Sequence, residues 1–170
     1  MKEIQELYRP SQHPIRVMQF GEGNFLRAFV DYAIDVANEE NGLDASVAIV
    51  IPIAGERPQF AVQNNLYTVC LRGQQEGKPY KENRAVTCIS RVLSAYADYD
   101  GYMQLAELDT LRFIVSNTTE AGIVFDPACA LADRPPKAFP AKLTQFLYAR
   151  FQHFDGAADK GVHMLPVELI

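Results

Sequence analysis

Several kinds of protein are excluded by what this chain has little of. Its three cysteines, Cys70, Cys88 and Cys129, stand at unrelated spacings, with no Cys-x-x-Cys pair and no Cys/His set. That excludes a structural zinc site. The three are expected as buried free thiols in a reducing cytoplasm. No Lys/Arg cluster offsets a net charge of -5 and a pI near 5.2, so no phosphate-binding nucleic-acid surface is expected. No apolar run nears the roughly 20 residues that span a bilayer. The longest, Val47 to Ala54, is of strand length and contains Pro52. Lys2, Glu3, Glu6 and Arg9 leave no apolar signal core at the start. The chain thus reads as cytoplasmic, with no membrane and no nucleic acid among its partners.

What is present fits a single domain. A length of 170 residues, 48% of them hydrophobic and 22% charged, suits one core without repeats or linkers. Ile15 to Phe20 reads as a strand that ends at Gly21. A helix pattern follows, with Leu26, Phe29, Val30, Ala33, Val36 and Ala37 on one face. Arg27, Asp31, Asp35 and Glu39 fall opposite, Arg27 and Asp31 being spaced for an i, i+4 pair. Asn41-Gly42 is the stop signal. Ala45 to Ile51 is a near-continuous apolar run, as in parallel strands buried on both faces. Strand, helix and strand make a βαβ unit.

Beyond it, Tyr67 to Arg72 reads as a strand, Gly73 to Lys78 as a turn and Ala85 to Leu93 as another strand, a small antiparallel excursion. Asp98 to Ala106 reads as a short helix and Leu111 to Ser116 as a third parallel strand. A further helix carries Leu143, Phe146, Leu147, Phe151 and Phe154 on one face, with Pro140 in its first turn and Gly156 closing it. Val162 to Ile170 reads as one more strand. The fold class is α/β, a doubly wound, mostly parallel sheet with that antiparallel excursion. Such a sheet should continue after its last strand, so the chain reads as an amino-terminal fragment.

The sharpest motif is Gly21-Glu22-Gly23-Asn24-Phe25-Leu26-Arg27, between strand and helix. The first Gly permits a tight reversal and the second lets backbone approach a pyrophosphate. The helix start then offers unpaired N–H groups and its positive dipole end. Where a dinucleotide fingerprint has its third Gly, this chain has Leu26, which implies wider helix–sheet packing. On the turn alone, a dinucleotide site, a methyl-donor loop and a structural turn all remain open. No acidic residue tips the second strand; Glu56 within reach of an adenosine ribose and Arg57 within reach of a 2′-phosphate read equally as solvated loop charges, so NAD and NADP are not separated.

Ser116-Asn117-Thr118-Thr119-Glu120-Ala121-Gly122-Ile123, at the carboxyl end of a parallel strand, is where ligand crevices form. The competing reading is a turn closed by its own hydrogen bonds. His13, His153 and His163 share no ligand spacing and have no Ser or Cys partner. Tyr-x-x-x-Lys is absent, since Gln152 follows Tyr148. Tyr96, Tyr99 and Tyr102 read as helix-face packing. No local acid, base or metal ligand is assigned.

Phe20 to Asp31 resembles the opening of the mannitol dehydrogenase family. The likeness continues through Leu66-Tyr67-Thr68, Arg72-Gly73, Ser116 to Ile123, Pro140 to Thr144, Arg150-Phe151, His153 to Ala157, Asp159-Lys160-Gly161 and Pro166 to Ile170. The Ser-Asn-Thr-Thr-Glu-Ala-Gly wording is similar to one hexuronate-reducing branch of the family more than to its mannitol and fructuronate branches. The resemblance implies a Rossmann-type domain over 1–170 and NAD as cofactor. It also implies a small-molecule hexuronate/aldonate substrate for the full-length protein. Contact with NAD is implied for Val17, Met18, Gln19, Phe20, Gly21, Glu22, Gly23, Asn24, Phe25, Leu26, Arg27 and Ala28; the crevice adds Ser116, Asn117 and Thr118. The family lacks the third Gly, and its catalytic Lys, Asn and His belong to a helical carboxyl-terminal domain, so no catalytic residue is assigned here. An NAD-dependent fructuronate or mannitol-type polyol dehydrogenase, a nucleotide sensor and a methyl-donor module remain as alternatives.

Overall fold

The computed structural model describes residues 3–55 and 58–168. In chain order the elements are α1 (Ile4–Leu7), β1 (Ile15–Phe20), a π-helical segment (Leu26–Asp31), α2 (Tyr32–Asn41), β2 (Ser46–Ile51), α3 (Pro58–Val62), β3 (Tyr67–Gln75), β4 (Lys78–Val86), β5 (Ile89–Ser94), α4 (Tyr99–Gln104), β6 (Phe113–Ser116), α5 (Phe139–His153) and β7 (His163–Pro166). Five strands form one parallel sheet in the order β5-β2-β1-β6-β7. Strands β3 and β4 pair antiparallel in a separate ribbon. Among the described residues no helix is long and apolar enough to cross a membrane.

Two apolar layers flank the sheet because β1 and β2 are buried on both faces. Met18, Phe20, Ala48 and Val50 pack with Tyr102, Leu105 and Phe146 beneath α4 and α5. Val17, Val47 and Ile49 pack on the other face with Leu26, Phe60, Val69 and Val86. Burying each such aliphatic or aromatic side chain contributes about 1.5–3 kcal/mol. That is why the continuous apolar runs become central strands rather than helices.

Three expectations need correction. Ala85 to Leu93 is not one strand: β4 ends at Val86, and β5 joins the parallel sheet beside β2. The break has a cause, since Asp35 accepts from the N–H groups of Thr87 (2.8 Å) and Cys88 (3.1 Å). The turn expected over Gly73 to Lys78 shrinks to Glu76-Gly77, both at positive φ, and the ribbon runs on either side of it. Of the thiols only Cys88 is buried; Cys70 is exposed and Cys129 half-buried.

In both long helices the buried face departs in part from the one read from periodicity. Phe29 is 61% exposed, whereas Asp31 and Asp35 are buried. The π segment holds one more residue per hydrogen-bonded turn than an α-helix. At about 100° per residue, that rotates everything after it. In α5, Leu143, Phe146 and Leu147 pack on the core as expected, but Phe151 is exposed, and Lys142, Gln145 and Arg150 are buried along with Phe146. The Arg150 guanidinium donates to the carbonyls of Lys160 (2.8 Å), Ala106 (2.9 Å) and Leu108 (2.9 Å), so its charge is solvated by backbone. Elsewhere the boundaries agree: Gly42 ends α2 at φ 64°, and Gly156 follows α5 at φ 70°. Asp98 caps α4 by accepting from Gly101 N at 3.0 Å. The expected last strand is β7 over His163–Pro166; its outer part, Leu169 and Ile170, lies outside the described residues.

Candidate functional site

The turn after β1 is built by its glycines. Gly21 sits at φ +102°, where an L side chain is strained, and its N–H donates to Val50 O on β2 at 2.9 Å. The Gly21 carbonyl accepts from Gln19 Nε2 at 3.1 Å. Gly23 has an ordinary φ, and a Cβ built there would meet nothing within 4 Å. Its carbonyl accepts the first helical bond from Arg27 N at 3.1 Å. Gly23 thus stands at the start of a helix, whose first-turn N–H groups have no acceptor within the helix itself, as at an anion-binding helix start. Leu26, at the place of a third glycine, is buried in the core and lies 3.7 Å from where a Gly21 Cβ would stand. The expected wider packing is met by the π winding that begins at that residue.

Beside the turn, at the carboxyl ends of the strands, opens a cleft of about 650 Å³. Phe20 and Gly21 from β1, Pro52 and Ile53 from β2, and Asn117 and Thr118 after β6 form its near walls. Val124, Phe125, Lys137, Phe139 and Lys142 form the far one. A second, polar cleft of about 430 Å³ lies between α2 and the β3–β4 ribbon. Its main charges are already paired, Arg84 with Asp35 at 2.8 Å and with Glu39 at 2.6 Å. The first cleft is the better candidate, because crevices at carboxyl ends of parallel strands are where doubly wound sheets hold ligands.

The residues singled out from sequence fall into two groups. Gly21, Phe20, Asn117 and Thr118 line the cleft; Glu22, Gly23, Asn24, Phe25, Arg27 and Ala28 form the turn and the helix entry beside it. Val17 and Met18 are packed in opposite core layers, and Gln19 is buried beneath the turn. Ser116 is also buried, bonded to the Glu168 carboxylate, which accepts from Thr118 N as well. Asn117 Nδ2 donates to Val167 O. The polar segment is thus fastened to the end of β7, and Asn117, Thr118, Thr119, Ala121 and Gly122 of it line the cleft. Glu56 and Arg57, the candidates for separating NAD from NADP, lie outside the described residues.

Sequence reasoning missed Lys142 and Glu168. Lys142 is buried at the cleft wall with its Nζ donating to Lys137 O at 2.6 Å and lying 5.0 Å from the Tyr96 ring centroid. Burial holds its ammonium below the usual lysine range. Its signal was present as a cation four and eight residues before Phe146 and Arg150 on one helical stripe, but a charged residue is normally read as solvent-facing. The histidines have local partners: His13 bonds Asp44 at 2.9 Å, and His163 stacks on Phe113. Tyr102 is core, whereas Tyr96 is partly exposed over Lys142. Among the described residues no group of three His, Cys, Asp or Glu side chains could hold a metal ion.

Comparison with known proteins agrees with this geometry. Residues 15–170 match the mannitol dehydrogenase Rossmann domain. The chain is 51% identical over 161 residues to an altronate oxidoreductase of Pectobacterium carotovorum subsp. carotovorum (strain PC1), covering 94% of this chain and 33% of that protein. An altronate oxidoreductase of Klebsiella pneumoniae (strain 342) is 48% identical over 162 residues, with 94% and 34% covered. The chain therefore spans about a third of the length of the curated relatives it matches. Pseudomonas fluorescens mannitol 2-dehydrogenase, solved as a ternary complex with NAD and D-mannitol, superposes with a TM-score of 0.72 at 21% identity, covering 92% of this chain and 34% of that one. A substrate-free D-sorbitol dehydrogenase gives 0.69 at 17% identity, covering 95% of this chain and 37% of that one. The parallel strand order and the glycine turn had already pointed the same way, and the match over nearly all of the chain makes it a member of the mannitol dehydrogenase family, in that family's Rossmann domain.

Proposed function

We propose that residues 1–170 are the NAD-binding domain of a cytoplasmic oxidoreductase that moves hydride between NAD(H) and the tagaturonate/altronate pair. The observation that carries this reading is the open space at Gly23, beside a cleft at the strand ends, in a chain 51% identical to an altronate oxidoreductase. The groups present fit a dinucleotide. Backbone N–H groups at the helix start would hold the pyrophosphate, and Gly23 gives it room. Asn117 and Thr118 offer amide and hydroxyl bonds from the crevice, and Pro52, Ile53 and Phe125 offer an apolar wall for a flat ring.

When bound, NAD(H) supplies or takes up the hydride. What the chain would do is bind and orient: the turn would hold the diphosphate beside the cleft at the strand ends. Reduction of a ketone also needs a proton donor within hydrogen-bond reach of the forming alkoxide. The uronate carboxylate needs a cationic partner as well. Lys142 faces the cleft, but its ammonium is engaged by the Lys137 carbonyl. We assign both tasks to the part of the relatives' length that this chain does not cover.

Titration with NADH and S-adenosylmethionine side by side tests the reading. NADH should bind and the methyl donor should not; the reverse result replaces the dehydrogenase with a methyl-donor module. A paired turnover assay against the Pectobacterium relative should show no tagaturonate reduction by the 170-residue chain. Comparable turnover would place the proton donor within these residues.

A further inference from the structure

The π winding leaves Asp31 wholly buried, and the atoms around it are one proton short. Tyr67 Oη lies 2.9 Å from Asp31 Oδ2 and 3.1 Å from the Arg27 carbonyl oxygen. Both are acceptors, and a phenol has a single hydrogen. With Asp31 ionised, one of these contacts sets lone pair against lone pair. Asp31 Oδ1 is buried with no hydrogen-bond partner. Half of a carboxylate charge there is far more costly than the carbonyl oxygen of a neutral acid.

We propose that Asp31 stands as a neutral carboxylic acid and is the positioning residue of the glycine turn: its Oδ2–H donates to Tyr67, whose hydroxyl donates to the Arg27 carbonyl. The groups packed around it come from four elements. From its own helix, Arg27 and Asp35 face it; from β1, Gln19; from β3, Tyr67; and from the β4–β5 connection, Cys88. Burial pushes the Tyr67 hydroxyl and the Cys88 thiol up, so both keep their hydrogens. Arg27 lies over the Phe60 and Tyr67 rings at 5.8 and 5.5 Å, and its Nε has no hydrogen-bond partner, so it does not satisfy the carboxyl. Burial, acting against the opposing pull of Tyr67, Gln19 and Arg27, pushes the Asp31 carboxyl up to about 7.

Gln19 links this acid to the turn. Its Nε2 carries two hydrogens, one donated to the Gly21 carbonyl at 3.1 Å and the other to Asp31 Oδ2 at 3.4 Å. Beside a neutral acid the second bond is weak and the amide stays on Gly21. An ionised Asp31 strengthens that bond into a charge-assisted one and draws the amide away from Gly21. It also places a negative charge in the helix whose amino terminus faces the diphosphate. Nucleotide affinity should therefore fall as Asp31 ionises, a consequence that rests on the nucleotide-binding reading above.

Carbon-13 NMR of the Asp31 carboxyl in the wild-type chain reads its state without any substitution. The acid signal should be present at about pH 5.5 and give way to carboxylate near pH 7; carboxylate at both values overturns the proposal. Asp31→Asn keeps an N–H for Tyr67 and cannot ionise. Between about pH 5.5 and about 8.5 the wild type should lose about tenfold in NADH affinity while Asp31→Asn stays level. Parallel profiles for the two proteins overturn the positioning role. If the wild type binds no NADH at any pH, the nucleotide reading and the positioning role fail together, and the carboxyl signal still decides whether Asp31 is an acid.

Discussion

Gly21 and Gly23 should respond to substitution in opposite ways. Gly21 has φ +102°, a conformation that costs an L residue about 1–3 kcal/mol. A loss of about 2 kcal/mol in a chain of this size lowers Tm by about 4–8 °C. Gly21→Ala should therefore show that loss, with no clash behind it, since its Cβ would meet Leu26 Cδ1 at an ordinary 3.7 Å. Gly23→Val has neither penalty: φ is ordinary and the Cβ direction is open. Its stability should stay within about 0.5 kcal/mol of wild type. In the proposed complex, however, that open direction holds the diphosphate. Losing two charge-assisted N–H bonds, at about 1.5–3 kcal/mol each, removes at least about 3 kcal/mol, more than a hundredfold in Kd. Differential scanning fluorimetry and NADH fluorescence titration on both variants read the two quantities separately. Wild-type NADH affinity in a folded Gly23→Val would refute the assignment of this space to the diphosphate.

Asp35→Ala leaves the N–H groups of Thr87 and Cys88 without their acceptor and removes one of the two ion pairs of Arg84, and should destabilise by about 3 kcal/mol in urea unfolding. Tyr102→Phe removes a buried bond to the Lys142 carbonyl, 2.9 Å long, and should cost about 1 kcal/mol. Asp98→Ala removes the cap of α4 and should cost a similar ~1 kcal/mol, measured as a shift of the denaturation midpoint. Asp31 titrates from 3.8 unfolded to about 7 folded, so its contribution is fully present below about pH 4 and lost as pH rises through about 7. That change is on the order of 4 kcal/mol, and urea midpoints for wild type minus Asp31→Asn across this window should show it.

The parallel core was legible in sequence because apolar runs such as Ser46–Ile51 have one outcome when helices cover both faces of a sheet. The glycine turn was legible for a similar reason: Gly21 and Gly23 are constrained by local backbone geometry. The face of the helix after that turn was not. Periodicity assumes α winding throughout, and six residues of π-helix from Leu26 to Asp31 turn Phe29 outward and Asp31 inward. Nor does a residue name reveal a buried charge that is solvated by backbone carbonyls, as Lys142 and Arg150 are. The Glu168 clamp on Ser116 and Thr118 joins groups about fifty positions apart, beyond any local pattern.

The bonds at Gly21 bear on kinetics. With its N–H held by Val50, its carbonyl by Gln19 and the Gly23 carbonyl by Arg27, the turn has its final shape before any ligand arrives. Little loop entropy is then left to lose on association, and no minor conformer has to be awaited first. Binding of a diphosphate here should follow a single exponential whose observed rate rises linearly with ligand concentration, without the plateau that a slow rearrangement imposes.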